Sequence, residues 1–226
     1  MALAEPQTPM KGSRMELLIR NEREEDTRAV EEVTREAFWN LYVPGCSEHY
    51  IVHALRQHKD FIQELDYVAI VDGRIVGNIM YTRAGLASED RKSLDIASFG
   101  PLSVHPEFQR MGIGSRLIRH SLPVAQGLGF GVVAIYGDPH NYCKHGFRNG
   151  KDLGISDGNG DHPHGLLALE LAPGVLAGRH WRLQISPAYE CGESDVADFD
   201  KRFSPKEKGY QYSQEIFAIA VRSFLR

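Results

Sequence analysis

Residues 102–115 read LSVHPEFQRMGIGS, which is the most informative segment of the sequence. An apolar strand pattern ends, a loop with two glycines follows, and apolar residues then recur at helical spacing. The first amides of a helix lack internal partners and lie at the positive end of its dipole, so they suit a pyrophosphate. Gly112 and Gly114 lack a Cβ and would let the backbone approach phosphate oxygens. Arg110 and Ser115 could add a charged contact and a hydroxyl contact.

Other glycine loops also precede helices. This one is not a Walker loop, because no Gly-Lys-Ser/Thr follows, and it lacks the third glycine of GxGxxG. A nucleotide-binding protein therefore ranks last among the functional hypotheses. By itself the loop also fits an ordinary tight turn between a strand and a helix, so the flanking sequence has to decide.

A second informative element follows the predicted helix. Residues 131–136, GVVAIY, form a short β-branched strand pattern. A brief helix is predicted over residues 141–145 and ends at Gly146. Tyr142 begins the run YCKHGF, which ends at Phe147.

With both motifs in place, residues 17–171 resemble the GNAT superfamily of N-acetyltransferases. The family signature, Gln/Arg-x-x-Gly-x-Gly/Ala after an apolar-x-Val step and a Pro, and its Tyr-x-x-x-Gly-Phe element are both present. The signature positions are Leu102, Val104, Pro106, Gln109, Gly112 and Gly114. The resemblance implies an α/β (α+β) fold with a mixed, mostly antiparallel central sheet flanked by helices. Two parallel strands of that sheet would splay apart in a V.

The resemblance further implies acetyl-coenzyme A (acetyl-CoA) as cosubstrate. The pantetheine arm would lie in the splay like an added strand, with backbone hydrogen bonds from Leu102 and Val104. The amides of residues 110–115 would hold the pyrophosphate. The residues implied to bind the coenzyme are Leu102, Ser103, Val104, Gln109, Arg110, Met111, Gly112, Ile113, Gly114, Ser115 and Asn141. Asn141 could instead only cap the short helix.

Tyr142 would lie near the coenzyme sulfur, and we assign it as the general acid that protonates the departing thiolate, or at least hydrogen-bonds to it. A thiol with a pKa near ~8.5 is already a fair leaving group, so a phenol with a pKa near ~10 need only assist. In this family the amine attacks the thioester directly. Cys143, beside Tyr142, is therefore not expected to act as a nucleophile.

The sequence departs from the family pattern where a base would stand. The histone-modifying branch carries a Glu some six residues before the Val, and this chain has Ser98 there. An ammonium must lose a proton before attack, so another base is required. Asp138, at the end of the following strand, is the catalytic candidate, with Asp95 and Glu170 as alternatives. Each could equally be a solvated carboxylate or a helix cap.

The remaining patterns predict a mixed α/β order. Two β-rich runs, YVAIV and RIVGNIMY, indicate a hairpin around Asp72-Gly73, the strongest turn signal in the chain. Asp26 and Ser47 are predicted N-caps of two early helices. The other predicted elements are strands at 16–22, 166–171 and 181–185, a polar connection at 83–92, a loop at 152–164, a polar tail at 191–209 and a helix at 213–224.

The 226 residues suggest a leader at 1–14, an acetyl-CoA-binding domain at 15–190 and a C-terminal extension at 191–226. The extension could cover the sheet edge, complete the acceptor pocket or form a homodimer contact. Trp39, Tyr42 and Tyr50 could line that pocket or belong to the core.

Bulk composition excludes several classes. A net charge of −4 lacks the basic surplus of a nucleic-acid binder. No apolar run approaches the ~20 residues of a membrane span. Three separated cysteines form no disulfide framework, which favours the cytoplasm. Residues 161–164, DHPH, look metal-binding, but their Pro- and Gly-rich setting favours a solvated loop, and no metal is expected.

The sequence alone is compatible with two functions. The first is an active enzyme that acetylates an amine: a polyamine, an amino sugar, an antibiotic, an amino acid or a protein amino group. The second is a non-catalytic acetyl-CoA sensor that keeps the phosphate loop without turnover. Tyr142 favours the enzyme.

Overall fold

One mixed sheet of nine strands with helices on both faces makes up the computed structural model, which describes residues 16–226. The strands are β1 (Leu17–Asn21), β2 (Tyr67–Val71), β3 (Arg74–Ser88), β4 (Ser93–Val104), β5 (Val132–Tyr136), β6 (Arg148–Asn149), β7 (Ile155–Ser156), β8 (Leu166–Glu170) and β9 (Trp181–Gln184). The helices are α1 (Thr27–Phe38), α2 (Glu48–Leu55), α3 (Ile113–Gly127), α4 (Pro139–Tyr142), α5 (Glu193–Asp200) and α6 (Tyr212–Ala220). The expected leader, 1–14, lies outside the described residues.

The sheet order is β1-β2-β3-β4-β5-β8-β6, and β9 pairs with the far end of β3. The pairing is antiparallel except for β4 with β5 and β7 with β9. The predicted hairpin is confirmed, with Asp72 and Gly73 at φ 49° and 77°, as a type I′ turn requires. The predicted fold class is therefore confirmed.

Strand alternation sends side chains to two cores. Val68 and Met80 face α1 and α2, whose Val30, Val52 and Leu55 complete one core. The next residues along the same strands face α3, so the period of two divides the apolar residues between the two helical layers. That second core includes Ala69, Ile79, Tyr81, Leu117, Ile118, Val133 and Phe147. Because both faces are covered, the sheet is held rigidly at its centre.

The parallel strands β4 and β5 separate almost at once. Within residues 16–226, Ala97 and Val133 are the one pair in register between them. Beyond that pair β4 runs on to Val104 and β5 to Tyr136 without further pairing to each other. The sheet is thereby opened into the V-shaped gap that the sequence predicts.

The C-terminal residues pack on the helices of the same chain. Asp200 of α5 accepts hydrogen bonds from the guanidinium of Arg35 at 2.7 and 3.2 Å. Phe199 and Phe203 are buried and lie against the ring of His49. Apolar contact and an ion pair therefore fix this segment on α1 and α2.

Several sequence-based boundaries were wrong. The polar connection predicted at 83–92 is mostly strand: β3 continues to Ser88, because Leu86 is buried and residues 85–88 pair with β9. The loop predicted at 152–164 contains β7, which pairs with β9. The polar tail predicted at 191–209 contains α5, and the apolar residue that anchors it, Phe199, is isolated among polar neighbours.

Two predicted caps occupy the N-cap positions without capping through their side chains. The carboxylate of Asp26 accepts hydrogen bonds from the guanidinium of Arg20 and from the backbone amide of Arg23. The hydroxyl of Ser47 makes no capping hydrogen bond in α2. Instead, the carboxylate of Glu48 accepts a hydrogen bond from the backbone amide of Ser47 at 3.0 Å. Elsewhere, α3 continues through Pro123 to Gly127.

Candidate active site

A cleft of about 1010 Å³ follows the gap between β4 and β5. Its walls come from the end of β4, the loop before α3, the segment after β5, the start of α2 and the residues that follow β9. Leu102, Val104, Gly112, Asp138 and Tyr142 are among the lining residues. The structure thus brings the two sequence motifs to one site.

The loop before α3 has the backbone of an anion site. Arg110 and Gly112 both adopt the left-handed conformation, with φ 60° and 81°. Gly112 is the N-cap of α3, and a Cβ there would meet open space, so that backbone faces the cleft. Left-handed residues at a helix start turn successive N–H groups toward one point. Arg110 and Lys144 line the same cleft and add positive charge.

Side-chain packing holds this loop in place. The side-chain amide of Gln109 donates to the Val104 carbonyl at 3.1 Å and connects the loop to the end of β4. Nε2 of His145 lies 3.1 Å from the hydroxyl of Ser115 and links the loop to the turn after α4. Burial and the nearby Lys144 and Arg119 lower the pKa of His145, so its ring is neutral at neutral pH.

The end of β4 presents alternate residues to the cleft. Leu102 and Val104 line it, whereas Ser103 points to the opposite face and lies 2.9 Å from the hydroxyl of Thr34 in α1. Of the residues implied to bind the coenzyme, Ser103 and Met111 are the two outside the lining set. Met111 is 49% exposed at the loop tip.

Tyr142 closes the cleft where the strands diverge. Its ring centroid lies 5.7 Å from that of Phe99 and 6.1 Å from that of Phe147. Burial raises the pKa of its phenol, and the neighbouring Tyr42 and Asp138 raise it further. The phenol is therefore protonated at neutral pH and available as a hydrogen-bond donor.

Ser98 is a neutral polar residue at the position where the histone-modifying branch of the family carries a Glu. Ser98 is buried on β4 and lines the cleft. The hydroxyl of Tyr189 lies 3.1 Å from that of Thr82. Burial raises the pKa of Tyr189 to about 12, although hydrogen bonds to Thr82 and Ser98 act to lower it. This network carries no charge, so a base has to lie elsewhere in the cleft.

The predicted base Asp138 and its neighbour Asn141 lie in the segment after β5. Asp138 is exposed and its carboxylate caps α4, accepting the amide of His140 at 2.9 Å. Asn141 lines the cleft, so it does not serve as the cap. The alternative bases lie outside the cleft lining: Asp95 is exposed on β4, and Glu170 accepts the amide of Leu176.

One end of the cleft is apolar and contains a single acidic residue. This acceptor wall consists of Phe38, Leu41, Tyr42, Glu48, Ile51, Ile185 and Tyr189. The ring of Tyr42 stacks on Phe217 of α6, with centroids 4.5 Å apart, and Ser213 of α6 donates to the Leu41 carbonyl. Of the three aromatic residues considered, Tyr42 lines the cleft, whereas Trp39 bonds to the Glu207 carbonyl and Tyr50 packs on Phe199.

A cysteine, a histidine and an aspartate also meet outside the cleft. Cys46 Sγ lies 3.4 Å from Nδ1 of His49, whose Nε2 lies 3.1 Å from Asp200. Burial raises the pKa of Cys46 to about 12 and lowers that of His49 to about 4. The thiol is therefore protonated and unreactive, and these contacts fasten α5 to α2.

Comparison with known proteins agrees with this geometry. The model of the acetyltransferase (GNAT) domain family matches residues 64–149, which include β4, the glycine loop, α3, β5 and Tyr142. This part of the chain is similar to a GNAT domain.

Individual relatives share the domain to different extents. The uncharacterized N-acetyltransferase YjhQ of Escherichia coli K12 is 34% identical over 97 residues, which are 43% of this chain and 53% of YjhQ. The chain thus matches about half the length of that curated relative. The Escherichia coli GNAT family N-acetyltransferase YhbS, solved with CoA, has a TM-score of 0.68 at 20% identity over 80% of this chain and 97% of its own. A Brucella melitensis GNAT family acetyltransferase, solved with acetyl-CoA, has a TM-score of 0.61 at 25% identity over 78% and 100% of the two chains.

Sequence reasoning missed Glu48 and Tyr189 in the cleft. Glu48 stands in a helical pattern that gives no sign of facing a site, and Tyr189 lies in a short turn after β9. Over residues 16–226, no three His, Cys, Asp or Glu side chains are grouped to hold a metal ion. In the same part of the chain, no helix has the length and apolar character needed to cross a membrane.

Proposed function

We propose that this chain is an acetyl-CoA-dependent N-acetyltransferase that transfers the acetyl group to a primary amine by direct attack. The observation that carries the proposal is the cleft between β4 and β5, which joins an anion-binding loop at one end to a protonated tyrosine at the strand divergence. The acetyl-CoA bound by the Brucella relative supports the same ligand here.

Different residues contact different parts of acetyl-CoA. The amides of residues 110–115, with Arg110 and Lys144 nearby, hold the pyrophosphate. Leu102 and Val104 lie along the open edge of β4 beside the pantetheine. The Val104 carbonyl already accepts from Gln109, and its second lone pair stays available to the ligand.

Tyr142 assists departure of the thiolate. Its raised pKa stands well above the ~8.5 of a thiol, so complete proton transfer to the thiolate is uphill. The phenol therefore stabilises the developing negative charge by a hydrogen bond, and solvent completes the protonation. The amine nitrogen forms the new bond to the carbonyl carbon as the carbon–sulfur bond breaks.

A thiol-release assay tests the proposal. The chain is mixed with acetyl-CoA and a panel of primary amines, and free coenzyme thiol is measured with and without each amine. Release that depends on an amine, with acetylated amine found by mass spectrometry, supports the enzyme. Binding of acetyl-CoA without release on any amine would indicate a sensor instead.

A further inference from the structure

Glu48 is the acidic residue of the acceptor wall. It is half-buried at the start of α2 and lies among Phe38, Leu41, Tyr42 and Ile51. Asp138 is the other acidic residue lining the cleft, but it is exposed to water and caps α4. The two carboxylates therefore differ in solvation, and the acceptor end contains the less solvated one.

Within residues 16–226, no cationic side chain forms an ion pair with this carboxylate. In the described chain it accepts hydrogen bonds from backbone amides, including that of Ser47 at 3.0 Å, and forms no ion pair. Burial raises the pKa of Glu48, which shows that its charged form is poorly solvated. A carboxylate in this state gains free energy when a ligand brings a positive charge to it.

The titratable groups that face Glu48 are neutral acids. They are the phenol of Tyr42 and the thiols of Cys46 and Cys191, and the negative charge of Glu48 contributes to raising the pKa of each. They come from two segments: Tyr42 and Cys46 from the connection between α1 and α2, and Cys191 from the segment before α5. Of the two carboxylates that raise the pKa of Tyr42, Glu48 has the larger effect and Asp138 the smaller.

We propose, on the basis of the acetyltransferase function proposed above, that Glu48 binds the ammonium group of the acceptor and removes its proton. The acceptor is a primary amine with one cationic group on an apolar or aromatic body. The aromatic and aliphatic side chains of the acceptor wall contact that body. Polyamines and amino sugars fit less well, because one carboxylate cannot pair several ammonium groups and the apolar wall leaves hydroxyls without partners.

The proton balance is as follows. The ammonium gives one proton to the Glu48 carboxylate, and the resulting amine attacks the thioester carbonyl carbon. The carbon–sulfur bond breaks, the nitrogen loses a second proton to solvent as the amide forms, and the thiolate gains one proton with the help of Tyr142. Glu48 then releases its proton to solvent, so the reaction yields amide, thiol and one proton per ammonium.

The test uses the full chain, the variants Glu48→Gln and Glu48→Asp, and the control Glu64→Gln, a glutamate exposed outside the cleft. Acetyl-CoA affinity is measured by calorimetry, and kcat/KM is measured from pH 5 to 9.5 with 2-phenylethylamine, spermidine and glucosamine as acceptors. Binding of 2-phenylethylamine to the CoA-loaded protein gives a readout without turnover.

We expect Glu48→Gln to keep acetyl-CoA affinity within about two-fold, which also shows that it is folded. It should lose about 100-fold or more in kcat/KM for 2-phenylethylamine, the scale of a general base. It should also lose amine binding and the acidic limb of the pH profile, over which the wild-type rate rises as Glu48 ionises. Glu48→Asp should retain that limb at a lower rate, and Glu64→Gln should behave as wild type.

Three results would overturn the inference. A Glu48→Gln variant with wild-type kcat/KM and pH profile removes Glu48 from the reaction, and loss of the acidic limb in Asp138→Asn instead transfers the role to Asp138. Preference for spermidine or glucosamine, or no turnover of any of the three, refutes the acceptor class. If wild-type protein fails to bind acetyl-CoA, the proposed function itself fails, and that outcome is distinct from the others.

Discussion

The ring of Tyr142 lies directly against the backbone of Gly137, so closely that a Cβ at position 137 would overlap the ring. Gly137 is the first residue after β5, and its amide donates to the Gly165 carbonyl at 2.9 Å. A residue with a side chain at 137 therefore has to displace the phenol from the divergence of the strands. Because residue 137 has no side chain, the ring of Tyr142 can lie in its observed position.

Gly137→Ala is expected to lower kcat about 10- to 100-fold, since displacing a reactive group by ~1 Å costs up to ~100-fold. Acetyl-CoA affinity should change little, because the loop at 109–115 is untouched. The matched control is Gly131→Ala, whose Cβ would make ordinary contacts at 3.5 Å with Ala172 and Val175. Equal kcat values for the two variants would contradict the positioning of Tyr142 by Gly137.

Tyr142→Phe removes the phenol and keeps the ring contacts with Phe99 and Phe147. We expect kcat to fall by roughly 100-fold, the lower end of the cost of removing a hydrogen-bond donor that stabilises developing negative charge, with acetyl-CoA affinity unchanged. Because burial holds the pKa of the phenol above its usual range, the ratio of the two rates should stay constant from pH 6 to 9. Unchanged turnover in the steady-state assay would remove Tyr142 from the mechanism.

Gly112→Val tests the anion loop. Gly112 has φ 81°, a conformation that a β-branched residue adopts only with strain, so the amides at the start of α3 should be displaced. We expect acetyl-CoA affinity to fall at least about 10-fold by calorimetry. Gly129→Val is the control, because Gly129 also has a positive φ, 94°, but lies beyond the other end of α3. Equal losses in both variants would refute the loop assignment.

Asp200→Asn tests how the C-terminal residues are held. It weakens the ion pair of a buried Arg35 and the contact with a buried His49, which should lower the free energy of unfolding by about 2 kcal/mol. Urea denaturation measures this. Asp198→Asn is the control on the same helix, since Asp198 is exposed and pairs only with Lys201 among the described residues. Equal stability of the two variants would show that Asp200 does not anchor α5.

The free energy of unfolding should depend on pH through a buried pair of carboxyl groups, Glu22 and Asp66. Burial, and then the charge of Glu22, raise the pKa of Asp66 to about 8, although Asn78 donates to it at 3.0 Å. The folded state then keeps a proton that the unfolded state releases near pH ~4, so the free energy of unfolding falls as pH rises from about 4 to about 8. Asp66→Asn should flatten this fall between pH 5.5 and 8, measured by urea midpoints. A slope that does not change in the variant would contradict this origin.

The sequence predicts those features that depend on local chemistry. The Asp72-Gly73 turn, the β-rich run of β2 and the glycine loop before α3 each have a short-range signal, and each is confirmed in the structure. The splay between β4 and β5 came from the family resemblance and is also confirmed.

Features that depend on distant contacts left no such signal. Asp200 and Arg35 are 165 positions apart, so the polar segment around α5 did not show that it packs on α1. Residues 83–87 pair with β4 nearby in the chain, but residues 85–88 also pair with β9, which lies about a hundred residues later. Glu48 enters the cleft only because α2 packs beside β4, and a helical pattern does not show which face meets a site.

Calorimetric titration with acetyl-CoA, with ATP as control, measures whether the cleft between β4 and β5 binds acetyl-CoA through the loop at 109–115. We expect one acetyl-CoA per chain and weak or absent binding of ATP. Gly112→Val should lose acetyl-CoA binding, and Gly129→Val should retain it. Absence of acetyl-CoA binding to the wild-type chain, or equal binding by the two glycine variants, would contradict this prediction.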